Sequence, residues 1–123
     1  MRSFKWQIVE NAKGPKGRDD HSGCGGESGK LMYIFGGYVD GGKANDLWQY
    51  DIESNEWLEL DKGDYEIVNT KNYNPNLRPL PRIGATIEYH NGFLYLLGGH
   101  DQSNEKLDDF WKYDLTNKKW ELI

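Results

Sequence analysis

A chain of 123 residues holds one ordinary domain, and 37% hydrophobic with 28% charged content fits a globular class rather than a disordered one. The net charge of -5 and a pI near 5.1 argue against nucleic acid as a partner, because phosphate binding rests on clustered Lys and Arg. No apolar run approaches the ~20 residues of a membrane span, and MRSFKWQIVE has no signal-peptide core.

Taken in order, the first element is KWQIVE, Lys5 to Glu10, which reads as a strand carrying Trp6. GPKGRDDHS follows from Gly14 and brings Arg18 and His21. The run GCGGESG meets neither glycine spacing of a nucleotide-binding loop, and no helix follows it. Its Cys24 is the only cysteine, so no internal disulfide can form. A lone thiol without a secretory segment points to a reducing, cytoplasmic setting.

LMYIF, from Leu31, is apolar without a break and suits a strand covered on both faces. Gly36 and Gly37 close it, where a buried strand is expected to leave the sheet. Tyr38 to Asn45 reads as a loop. DLWQYDI then alternates, with Trp48, Tyr50 and Ile52 on one face and Gln49 and Asp51 on the other. The turn ESNE leads to a strand bearing Trp57.

The segment from Asp61 to Leu80 is polar and carries Pro75 and Pro79, so it reads as a loop. After Arg82, the runs IGATIEY and FLYLL flank His90-Asn91-Gly92, a strong hairpin signal. Gly98 and Gly99 end the second run, and His100 to Leu107 forms another loop. DFWKYDL sets Trp111, Tyr113 and Leu115 against Lys112 and Asp114. TNKK leads to the last strand, with Trp120. No stretch shows a helical period.

These elements occur twice. Gly36-Gly37 recurs 62 positions later as Gly98-Gly99. Trp48, Tyr50, Asp51 and Trp57 recur 63 positions later as Trp111, Tyr113, Asp114 and Trp120. Arg18 recurs 64 positions later as Arg82. Ordered matches that include two Trp do not arise by chance, and such a period marks a repeat architecture. Four short strands per unit, Gly-Gly after the second, Tyr-Asp in the third and Trp in the fourth resemble kelch repeats. GRDDHS matches the Arg and His-Ser opening of that family, whereas PRIGAT places Ala85 where His21 stands in the first unit.

The resemblance implies an all-β fold of four-stranded antiparallel blades from a kelch β-propeller. It divides the chain into a stray outer strand (1–12), a first repeat (13–60), an inserted inter-blade loop (61–80) and a second repeat (81–123). Two blades do not make a ring of about 4–8. The expectation is a partial propeller, completed by further blades of a longer chain or by homo-oligomerisation.

Function is expected at the loops, since rigid scaffolds commonly carry binding residues there. Trp6 to Arg18 spans 12 positions and Trp57 to Arg82 spans 25, so the second connection is about 13 residues longer. In a four-strand meander the second-to-third-strand loops and the inter-blade connections share one rim. That rim is expected to hold a protein-binding face of Tyr38, Asp40, Lys43, Tyr65, Tyr73, Arg78, His100 and Asp101.

Catalysis is not expected. His21, His90 and His100 are the only histidines, and none stands at metal-ligand spacing with another. Kelch-shaped copper oxidases use a Tyr–Cys link, and Cys24 is the only thiol for one here. Iron-dependent kelch proteins use a spaced Glu, Asp and His, but after Glu105 and Asp109 this chain has Tyr113 in the His position. The reading is a noncatalytic protein-interaction module with no cofactor. The alternatives are a kelch-type enzyme acting on a carbohydrate or using a metal, and a structural subunit of a cytoskeletal assembly.

Overall fold

The computed structural model describes residues 4–10, 13–63 and 76–123. The first sheet runs β1 (Ser22–Gly25), β2 (Leu31–Val39), β3 (Gly42–Asp51) and β4 (Glu56–Asp61). The second runs β5 (Thr86–His90), β6 (Phe93–His100), β7 (Lys106–Asp114) and β8 (Lys119–Leu122). Each sheet is an antiparallel meander with its strands side by side in chain order. One 3₁₀ turn, Glu27–Gly29, is the single helical piece among the described residues. The all-β expectation holds, and the two sheets are two blades.

Tight turns set the register. Asn91 and Gly92 adopt φ of 47° and 86°, as a two-residue hairpin that matches strand twist requires. Asp40 and Gly41 do the same, with φ of 48° and 84°. The segment from Tyr38 to Asn45, expected as a loop, is therefore mostly strand, with a two-residue turn at its centre. The Asp-Gly pair carried that signal.

The paired glycines act differently from the expectation. β2 does not leave the sheet at Gly36-Gly37 but runs on to Val39, with a bulge between Phe35 and Gly37. β6 repeats this between Leu97 and Gly99. The reason is contact: a Cβ on Gly36 would stand 2.8 Å from the Arg82 carbonyl oxygen and 2.9 Å from that of Ala44. Only glycine lets the second blade's backbone come this close.

The core lies between the blades. Alternation puts Tyr33, Phe35 and Leu47 on one face of the first blade, and Leu94, Leu96, Trp111, Tyr113 and Trp120 on one face of the second. These two junction faces form one buried cluster. Phe35 meets Trp120 edge to face at 5.5 Å, an arrangement that adds about 0.5–1.5 kcal/mol beyond area burial. The opposite faces are not covered in the same way. LMYIF, expected to be covered on both faces, is fully covered on one and partly on the other, where Ile34 is 9% exposed and Met32 42%.

KWQIVE takes no strand pairing. Trp6 is fully exposed, and Phe4 and Ile8 nearly so. An edge sequence without a sheet to join cannot satisfy its backbone as a strand.

Candidate protein-binding rim

Each blade is closed by the same clamp. Arg82 gives two parallel hydrogen bonds to Asp109, from Nη1 to Oδ1 at 2.6 Å and from Nη2 to Oδ2 at 2.8 Å. Nη1 also donates to the Gly98 carbonyl, and Nε to that of Leu80. The Trp111 indole N–H donates to Asp109 Oδ2 at 2.7 Å. In the first blade Arg18, Asp46, Gly36 and Trp48 repeat this atom for atom. The clamp ties the entering chain to the glycine bulge and the third strand. Burial pushes the Asp109 carboxyl up, but the bonds from Arg82 and Trp111 outweigh it and hold the group below the usual carboxylate range. The Arg positions and the repeated Trp were legible in sequence. Their partner Asp46/Asp109 was not read as a partner of Arg, and Asp109 was weighed only as an iron ligand, although its place two residues before each Trp was a signal.

The clamps bring the entering segments to the rim that ends β2 and β6. Asp19 bridges Tyr38, and Ile83 bridges His100. Tyr38, Asp40, Lys43, His100 and Asp101 thus lie on the rim shared by the β2–β3 turn, the β6–β7 loop and the inter-blade connection. Tyr38 is 45% exposed, and His100 is exposed. Asp40 is exposed and pairs with Lys16 at 3.1 Å.

Lys43 is in another state. It is only 5% exposed, and its ammonium donates to the Asp101 carbonyl and to Asn104 Oδ1. Gln102 brackets the Lys43 backbone, accepting from its N–H and donating to its carbonyl. Asp101 accepts from the N–H groups of Ser103 and Glu105 and shapes its own loop. Lys43 and Asp101 therefore fix the rim, because the Lys43 ammonium and the Asp101 carbonyl and Oδ1 are already bonded within the chain. Arg78 pairs with Asp61 at 3.1 Å, away from solvent. Tyr65 and Tyr73 lie outside the described residues.

Among the other candidates, Cys24 sits near Glu88, and burial pushes its thiol up to about 11. A thiol so rarely ionised is a poor nucleophile. Burial raises Tyr33 to about 12, and its ring stacks on Tyr89 across the blades at 6.4 Å. Among the described residues no three His, Cys, Asp or Glu side chains gather as metal ligands. No described helix is long and apolar enough to cross a membrane.

The whole chain, residues 1–123, matches the family model of the KLHDC2/KLHL20/DRC7 Kelch-repeats domain. The chain belongs to the kelch-repeat family. Kelch-like protein 40 of Xenopus tropicalis is 29% identical over 103 residues, covering 77% of this chain and 14% of that protein. Alpha-scruin of Limulus polyphemus is 32% identical over 95 residues, covering 73% of this chain and 9% of its own length. Mei4-dependent protein 6 of Schizosaccharomyces pombe is 28% identical over 131 residues, covering 100% of this chain and 17% of that protein. The kelch chain thus spans less than a fifth of each of these relatives. Kelch repeats typically serve as protein-interaction modules.

Proposed function

We propose that this kelch pair is a noncatalytic scaffold whose β2–β3 and β6–β7 rim receives a protein partner. The observation that carries the reading is the Lys43 staple. It spends a buried ammonium on the neighbouring blade's loop and so presents the two loops as one surface. Tyr38 and His100 stand at equivalent places on that surface, each directly after its Gly-Gly pair. A preorganised surface with an exposed aromatic spends less entropy on binding than loose loops do.

A photo-crosslinking residue at Tyr38 or His100 should capture a specific protein from the cell of origin. The same residue at Asn117, in the β7–β8 turn, should capture none. Equal capture from both sites would discard the rim as the partner surface.

A further inference from the structure

The β5–β6 turn carries chemistry that the proposed rim does not use. Asn91 is the one asparagine of the sequence that precedes glycine. Elsewhere the next residue has a side chain, which crowds the main-chain nitrogen that Gly92 leaves bare. Asn91 is exposed, so water reaches its amide. A Cβ added at Gly92 would meet nothing within 4 Å, so there is room beside its nitrogen for a ring to form. The amide nitrogen is placed as well, because Asn91 Nδ2 lies 3.2 Å from His90 Nε2. The first blade has no counterpart, since its equivalent of Asn91 is Gly29.

The Gly92 nitrogen is held back from that amide by the other blade. Its N–H donates to the Tyr89 hydroxyl at 3.2 Å, and the hydroxyl donates to Glu27 Oε2 of the first blade at 3.2 Å. A carboxylate on its proton makes the phenol oxygen a better acceptor, so Glu27 tightens the hold on Gly92. Tyr33, also from the first blade, stacks on the Tyr89 ring with planes 5° apart and fixes where the hydroxyl lies. The turn itself, with φ of 47° and 86°, sets the peptide plane that would have to rotate for a ring to close. The turn must therefore open before Asn91 and Gly92 can react.

We propose that Asn91-Gly92 is a site of spontaneous conversion to β-linked aspartate, and that the bridge from Glu27 through Tyr89 gates it. The Gly92 nitrogen gives up its proton and bonds to Asn91 Cγ. The Cγ–Nδ2 bond breaks, and Nδ2 leaves as ammonia with that proton, which His90 relays. Water then opens the cyclic imide at either carbonyl and leaves aspartate or β-linked aspartate. No oxidant or reductant takes part. The β-linked product lengthens the main chain inside the turn, so the pairing of His90 with Phe93 is lost. The site thus records opening of the junction: once the first blade lets go of Tyr89, the turn reacts and does not close again in its old register.

The test ages the full chain in warm neutral buffer, digests it and maps it by mass spectrometry, with an isoaspartyl methyltransferase to label β-linked aspartate. Label should appear at residue 91 and stay absent from Asn55, Asn104 and Asn117. Unfolding in urea should raise the rate well above that of the folded chain. Tyr89→Phe keeps the stacked ring and removes the hydroxyl, and it should speed the folded chain about fivefold. Glu27→Gln, in an exposed turn, should act in the same direction and less. His90→Phe should slow the reaction severalfold, and an unchanged rate there overturns the relay. The proposal is overturned if residue 91 stays unlabelled, if folded and unfolded chains age alike, or if neither Tyr89→Phe nor Glu27→Gln speeds the reaction.

Discussion

Arg82 shows how much of this fold hangs on single polar groups. Its side chain is fully buried, and it satisfies Asp109, Gly98 and Leu80 together. Arg82→Ala would strand a carboxylate beside the junction, and should cost about 3–5 kcal/mol. Arg18→Ala removes the same clamp from Asp46, whose side chain is 15% exposed against 27% for Asp109, and should cost about as much. Urea unfolding of both variants checks this, and a far smaller loss in Arg18→Ala would mean that the clamp alone does not set the cost. The clamp also fixes an acid limit. Asp109 has a lowered pKa, so its contribution is complete above the ordinary carboxylate value. It disappears as pH falls through the lower folded value. The acid limb of a stability–pH profile should therefore flatten in Asp109→Asn, while the neutral region is merely lowered. At this scale the sequence was partly legible. Repetition flagged Arg18, Arg82 and the Trp residues. It also flagged Asp51 and Asp114, which accept backbone N–H groups in the following turns. Asp46 and Asp109 hide because an Asp before a strand reads equally well as a turn residue. Lys43 hides because a surface loop and a buried staple look alike until the neighbouring blade is in place.

At the scale of elements, the glycine bulges carry a test of the junction. Gly36 and Gly98 both hold positive φ, 64° and 73°, so alanine strains either by about 1–2 kcal/mol. They differ in what presses on them. Gly36 faces the Arg82 carbonyl from the other blade, whereas the one close atom at Gly98 is the Leu107 carbonyl oxygen at 3.2 Å. Gly36→Ala should thus lose a further ~1–3 kcal/mol that Gly98→Ala keeps. Matching melting temperatures would show that the blades stand apart. The strands themselves were legible, because alternation and Asn91-Gly92 leave little choice of register. Their ends were not. A two-residue turn lets β2 and β3 run into the segment expected as a loop, and KWQIVE has strand composition without a paired edge among the described residues. Composition states what a segment is able to pair as, and only a partner edge makes the pairing.

At the scale of the whole molecule, two half-blade surfaces become one core. Tyr113, Phe35, Leu47, Leu94 and Leu96 are all under 2% exposed, and each lies at the junction of the blades. Among the described residues neither blade has a comparable cluster of its own, as expected of repeats that bury their faces on neighbours. The repeat was legible from sequence, and so was the need for a neighbour. Which faces meet was not, since both faces of each blade carry apolar side chains. The proposed function depends on this pairing, because the Lys43 staple crosses the junction and sets one loop against the other. The most direct test is amide hydrogen exchange at Gly37, Arg82 and Gly84. Their N–H groups donate across the blades to Arg82, Ala44 and Asp20 at 3.0, 3.0 and 3.1 Å. Protection equal to that of central β2 and β6 amides is predicted, since opening the junction then means unfolding the core. Fast exchange at these three amides, with the strands still protected, would contradict the account: the blades would be independent and the rim would not be one surface.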